Sequence, residues 1–426
     1  MTGLGIIPIS MIIVFISGYM AIIFERYIKV NKTASAIIMA VGTWILLFLR
    51  KGRITDISIN TLNERVGDVS QIIFFLIGAM TLVEIIDSHK GFKHITDRIN
   101  TRSKKKMLWV ISIFAFFLSA ILDNLTTTII MVSLLKKMMN HNRDRMLYGA
   151  AVVIAANAGG AWTPIGDVTT TMLWIKGHVT TLAVMKSLFL PSVFSLVVTV
   201  LLLSFQFRGN FSAITKPESK EEAEPGSKLI FWIGVIGLVS VPIFKAITGL
   251  PPFMGMLIAL GVLWLVTDLI HHPYEERRHL TVPQALTRID ITGVLFFLGI
   301  LLCINALEMI GLLKQLAMFI DSFTSNWAII ATLIGILSSV VDNVPLVAAT
   351  MGMYDLQVYP VDSAIWQMIA YCAGTGGSIL IIGSAAGVAL MGLEKVDFIW
   401  YLKKVSLAAL AGYLSGMTIY LVLQLF

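Results

Sequence analysis

Long apolar runs separated by short polar segments fill this chain of 426 residues. The runs at 5–24, 33–49, 70–86, 183–206, 228–247, 253–270, 291–311 and 400–425 each approach the ~20 apolar residues that a bilayer-crossing helix needs. A membrane barrel would instead alternate apolar and polar residues over ~10-residue strands. The pattern predicts an all-α polytopic membrane protein. Residues 1–24 carry no basic leader and no small-residue cleavage site, so a first membrane helix is expected there rather than a signal peptide. Segment 51–69 is too polar to cross and is expected at the interface.

Four further apolar runs are interrupted. Residues 107–139 read MLWVISIFAFFLSAILDNLTTTIIMVSLLKKMM, with Asp123, Asn124 and three threonines in the middle. Residues 327–353 repeat the arrangement with Ser338, Ser339, Asp342, Asn343 and Pro345. Each arm is only about 15 residues, short for a crossing. Both segments are therefore expected to enter and return as re-entrant hairpins. The runs 147–175 and 364–392 break at glycines instead. Asn157, Gly159, Gly160, Gly166 and Asp167 in the first answer Gly374, Gly376, Gly377, Gly383 and Ser384 in the second. Non-helical backbone at membrane depth is tolerated only where it packs on protein or lines a cavity.

Charge orients the chain. Only 13% of residues are charged, against roughly a quarter in soluble domains. The net charge of +7 needs no nucleic acid to explain it, because basic loops gather on the cytoplasmic side of membrane proteins. A hairpin at 107–139 puts the basic segments 87–106 and 136–145 on one side. The resulting topology assigns 24 of the 32 Lys and Arg to cytoplasmic loops. It predicts about ten transmembrane helices, two opposed hairpins and both termini on the outer side of the cell inner (plasma) membrane. Two inverted-topology repeats follow, 1–206 and 228–426, joined by a cytoplasmic linker, 207–227. Each repeat holds one hairpin and one broken helix. The motifs Phe74-Phe75-Leu76 before Glu84 and Phe296-Phe297-Leu298 before Glu308 also recur. Inverted repeats with unwound helices mark alternating-access transporters.

Several of these features have plainer readings. The glycine pairs suit tight helix packing, the prolines simple kinks, and Thr126, Thr127 and Thr128 bonds back to their own helix. Glu84 and Glu308, near span ends, either snorkel to the interface or couple protons. The aspartates differ. A carboxylate deep in a bilayer costs several kcal/mol and is functional by default, which singles out Asp123, Asp167 and Asp342. Carboxylate, carboxamide, hydroxyl and freed carbonyl oxygens suit hard cations such as Na⁺ or Li⁺ rather than soft metals. Cys303 and Cys372 lie in apolar runs, so neither a disulfide framework nor a zinc site is expected. All seven histidines fall in loops or at their edges.

The segments SAILDNLTTT (119–128), AANAGGAWTPIGDVTTTMLW (155–174), SSVVDNVPL (338–346) and AGTGGSILIIGSAAGVALMG (373–392) resemble the NhaD-type sodium/proton antiporters of the ion transporter superfamily. The resemblance implies five-plus-five inverted repeats, a homodimer with a scaffold domain, and transport domains that move like elevators. Carried over residue by residue, it implies an ion site at Asp123, Asn124, Asp342 and Asn343. Asn157, Asp167, Thr169 and Thr170 follow on the first broken helix, and Ser378 and Ser384 on the second.

The function these readings imply is Na⁺(Li⁺)/H⁺ antiport, with no cofactor beyond the transported ions. Na⁺ would sit at Asp123, Asn124, Asp167, Asp342 and Asn343. Asp123, Asp167, Asp342, Glu84 and Glu308 are the proton-coupling candidates. The expected partners are the lipid bilayer and a second copy, with no nucleic acid and no soluble protein. A Na⁺-coupled di- or tricarboxylate symporter is the nearest rival, but two tips that begin with Asp would repel a carboxylate substrate. An intramembrane aspartyl enzyme is more remote, so no enzyme activity is expected.

Overall fold

Apolar helices of bilayer length dominate the chain. The computed structural model describes residues 6–49, 59–92, 101, 103–139, 142–207, 209–210, 224–272, 274–324 and 326–425. The first half contains α1 (Ile6–Ile23), a single turn α2 (Glu25–Ile28), α3 (Lys32–Leu49) and α4 (Ile59–Ser88). A broken pair follows, α5 (Lys104–Ser119) and α6 (Asn124–Met138). Then come a second, α7 (Asn142–Ala161) and α8 (Val168–Ile175), and the long α9 (Thr181–Ser204). The second half runs α10 (Ser227–Thr248), α11 (Pro252–His271), a 3-10 segment (Glu275–Leu280), α12 (Val282–Leu286) and α13 (Ile291–Met309). After α14 (Leu312–Asp321) come the broken pairs α15 (Trp327–Ser338) with α16 (Asn343–Met353) and α17 (Ala364–Gly376) with α18 (Ala385–Glu394). The chain closes with α19 (Phe398–Lys404) and α20 (Ser406–Leu423).

Eight of these helices are long and apolar enough to cross a membrane. They match the eight uninterrupted spans of the sequence, and the two glycine-broken helices bring the expected crossings to ten. The hairpin arms have 16 and 15 residues in the first half and 12 and 11 in the second. At ~1.5 Å rise per residue none reaches across a hydrocarbon core ~30 Å thick.

Three boundaries differ from the sequence expectation. Residues 59–69 are not an interfacial segment but the first turns of one 30-residue helix, α4; residues 51–58 lie outside the described set. The expected loop 312–326 contains α14, whose apolar face (Leu313, Ala317) is buried. The last span is two helices, broken at Val405. Most of the linker 207–227 lies outside the described residues.

The helices sort into two groups. In one, α1, α3, α4, α10, α11 and α13 pack on each other. In the other, α5 to α9 pack with α15 to α18 and α20. Both halves of the chain contribute to both groups. The limbs α7 and α17 sit at the centre of the second group, where every residue of 147–161 and 365–376 is buried. Their Ala- and Gly-rich sequences allow this, because small residues let backbones approach closely. By contrast, α1 presents Ile6, Ile9, Ile13 and Ile16 outward, an apolar surface that suits lipid rather than water.

Reciprocal ion pairs brace the first group. Arg65 on α4 meets Glu308 on α13 at 3.5 Å, and Arg288, just before α13, meets Glu84 on α4 at 3.6 Å. Each glutamate sits near the end of one helix and is answered from near the start of the other.

Candidate functional site

At all four interruptions the chain restarts a helix, and an N-terminus needs an acceptor for its unpaired N–H groups. The sequence supplies one each time. Asp123 caps α6, its Oδ1 accepting from Thr126 N at 2.7 Å. Asp167 caps α8, accepting from Thr169 N at 3.4 Å. Asp342 caps α16, accepting from Val344 N at 3.3 Å. Ser384 caps α18, its Oγ accepting from Gly387 N at 3.2 Å. The second carboxylate oxygen of each aspartate is held differently. Thr126 Oγ1 donates to Asp123 Oδ2 at 2.6 Å, and Thr169 Oγ1 to Asp167 Oδ2 at 2.7 Å. Asp342 Oδ2 instead accepts from Lys32 Nζ at 3.3 Å.

These four first turns line one cavity. Asp123, Asn124, Asp167, Val168, Asp342, Asn343 and Ala385 all face it, together with Glu25, Lys32 and Asp290 from the other helix group. Behind the lining, Asn157 joins the two halves. Its Oδ1 accepts from Asn124 Nδ2 at 2.9 Å, and its Nδ2 donates to Ser378 Oγ at 2.7 Å and Ser384 Oγ at 3.0 Å. Asn124 Nδ2 also reaches Asp167 Oδ1 at 3.5 Å. One buried carboxamide thereby fixes a hairpin-side donor and two hydroxyl acceptors of the second broken helix, as a buried polar network must if it is to be satisfied.

Glycines make the close approach possible. A methyl on Gly159 would drive into the Phe116 carbonyl of α5, and one on Gly376 into the Gly335 carbonyl of α15. Ser119 Oγ donates to Ala156 O at 2.7 Å, and Ser338 Oγ to Ala373 O at the same distance. Each hairpin is thus tied to the broken helix that follows it by the same pair of contacts.

Nine of the ten ion-site residues singled out in the sequence either line the cavity or bond to those that do, directly or through Asn157. Asp123, Asn124, Asp167, Asp342 and Asn343 line the cavity, while Asn157, Thr169, Ser378 and Ser384 hold or bridge them. Thr170 donates to Ala161 O at 3.3 Å across the break. Glu84 and Glu308 stand apart from this cavity, each with its arginine. Of the three threonines on α6, Thr126 bonds the aspartate, whereas the buried Thr127 and Thr128 hydroxyls have no hydrogen-bond partner among the described residues. Lys32, Glu25 and Asp290 were missed. They sit at or beside span ends, where the sequence reads them as ordinary loop charges.

Capping alone does not explain the charges. Asn, Ser and Asp cap about equally well, for roughly 1 kcal/mol, and Ser384 does the same task without charge. Burying a carboxylate costs far more, so three charged caps around one cavity serve something else. The caps themselves offer only oxygen, and the lining adds the thioethers of Met80 and Met256 but no cysteine or histidine, which suits a hard monovalent cation or a proton.

The citrate transporter family profile matches residues 19–374. Sodium/proton antiporter 1 of Arabidopsis thaliana is 54% identical over 97% of this chain and 72% of its own length. Sodium/proton antiporter 2 of the same plant is 51% identical, over 98% of this chain and all of its own length. The Na⁺/H⁺ antiporter NhaD of Vibrio cholerae is 29% identical over 97% of this chain and 91% of its own. With its membrane-spanning helices and its carboxylate-lined break points, the chain belongs to the citrate transporter family and to the sodium/proton antiporters.

Proposed function

We propose that this protein is a secondary antiporter that moves Na⁺ or Li⁺ out of the cytoplasm in exchange for protons, by alternating access. The observation that carries this reading is the trio of charged caps, Asp123, Asp167 and Asp342, around one cavity where Ser384 shows that a neutral cap suffices. A desolvated carboxylate takes up a proton more readily, so H⁺ and Na⁺ compete for the same oxygens. If only loaded forms cross, that competition is enough for exchange. The names of the relatives support the same activity.

The remaining parts of the reading belong to it as a set. The two hairpins are the tips of two inverted repeats, supported by the matched Ser119 and Ser338 bonds. The second helix group, which carries the site, moves against the first in the manner of an elevator. The protein works as a homodimer in the cell membrane with both termini outside. It binds no resident cofactor and catalyses no covalent reaction.

A Na⁺-coupled carboxylate symporter is the second reading, favoured by the family description. The carboxylates at both hairpin tips oppose it, since each would repel an anionic substrate. Everted vesicles energised to an acid interior separate the two. Addition of Na⁺ or Li⁺ is expected to collapse the pH gradient. Failure of both ions, with Na⁺-dependent uptake of a dicarboxylate, overturns antiport in favour of symport.

A further inference from the structure

Among the described residues, Asp342 is the one carboxylate of the site paired with a cation of the chain itself. The partner, Lys32, is the first residue of α3 and so belongs to the other helix group. A lysine at a helix N-terminus works against the helix dipole, so its position does not serve α3. Its ammonium lies 4.4 Å from the Phe296 ring centroid and 3.3 Å from Asp342 Oδ2, inside the cavity. Its side chain is 31% exposed and that of Asp342 17%. The hairpin backbone explains why Asp342 has an oxygen to spare. Where α6 has Thr126, which binds Asp123 through both N–H and hydroxyl, α16 has Pro345, which offers neither.

We propose that Lys32 is a resident competitor for Na⁺ at Asp342, engaged in only one of the two orientations of the carrier. This rests on the antiport reading above. The ammonium holds the carboxylate that a transported cation needs, and it must be displaced before that cation binds there. Because Lys32 and Asp342 lie on different helix groups, the pair parts when one group moves against the other. The competition is then felt from one side of the membrane alone. That side is the cytoplasmic one, since the cavity is lined by Glu25 and Asp290, in segments the basic-loop balance assigns to the cytoplasm. The lysine thereby lowers Na⁺ affinity on the side from which Na⁺ is taken up and sets the concentration at which export begins.

The test compares wild type with Lys32→Gln and Lys32→Arg in proteoliposomes of known orientation, with ²²Na⁺ exchange read from each face. Lys32→Gln is expected to lower half-saturating Na⁺ on the cytoplasmic face about three- to fivefold, the upper range for a part-exposed ion pair, and to leave the outer face unchanged. Lys32→Arg keeps the charge and is expected to stay near wild type. Na⁺-dependent thermal stabilisation of the detergent-purified chain reads the same displacement without transport, and its midpoint should move to lower Na⁺ in Lys32→Gln. An unchanged midpoint, an equal change on both faces, or loss of exchange in a normally inserted Lys32→Gln overturns the proposal. Absence of Na⁺/H⁺ exchange in wild type is a different result and removes the antiport reading itself.

Discussion

The two halves of the site share a backbone frame and differ in charge. In each, a serine of the hairpin bonds a carbonyl of the broken helix at 2.7 Å, and a glycine of that helix lies against a hairpin carbonyl. On that common frame the first half places two aspartates and closes each with its own threonine, Thr126 and Thr169. The second half places one aspartate and one serine, and Pro345 leaves the aspartate to a lysine from the neighbouring helix group. Small residues thus fix where the helices break. Single differences at the break points then decide which charges the breaks carry.

The largest expected effect tests whether charge or capping matters at the two equivalent broken helices. Asp167→Asn preserves a good cap and removes the carboxylate; Na⁺-dependent proton movement should fall to background in vesicles with normal insertion. Ser384→Ala, at the matching position, loses a neutral cap and is expected to cost only about 1 kcal/mol of stability with transport retained. Full activity in Asp167→Asn would break the comparison. The frame itself is tested by Gly159→Ala and Gly376→Ala. Each pushes a methyl into a carbonyl of its own hairpin, an overpacking worth about 1–3 kcal/mol, and the two should lower the thermal midpoint alike. Unequal losses would show that the halves are not built the same way.

The smallest effect concerns the seam between the halves outside the site. The His178 carbonyl accepts from Asp362 N at 2.9 Å, and its ring meets Trp366 edge-on at 4.3 Å. Burial, with Lys176 nearby, pushes the imidazole down to about 4, while an unfolded histidine titrates near 6.5. The folded state keeps His178 neutral, so its contribution is complete above about pH 6.5 and is lost as pH falls toward 4. The thermal midpoint should therefore drop over that window. A His178→Gln variant should drop less, and equal pH dependence in the two would remove the assignment.

Much of this was legible from hydropathy because lipid permits few exceptions. Six of the eight uninterrupted runs became helices within a few residues, and the polar flaws at Asp123 and Asp342 became helix starts. Boundaries failed where a polar segment continues a helix. Residues 59–69 extend α4 because Arg65 finds Glu308 and Asp68 finds Lys176, and no such long-range partner shows in local composition. Val405 splits the last span without a glycine or proline at the break, and we find no local signal for it. Lys32 was illegible for the same reason as Arg65. Its partner lies in the other half of the chain, and a lysine at a span end reads the same with or without one.

Four helix N-termini meet at the cavity, and each carries about half a positive charge. Together they amount to roughly two, against the three carboxylates that cap three of them. Counting these termini and caps alone, about one net negative charge remains, which one Na⁺, one proton or one ammonium group cancels. Neutrality is thus reached by a single monovalent guest, whichever it is, and a divalent ion would overshoot it. The same arrangement that ends four helices cleanly also counts the charge of what the cavity holds.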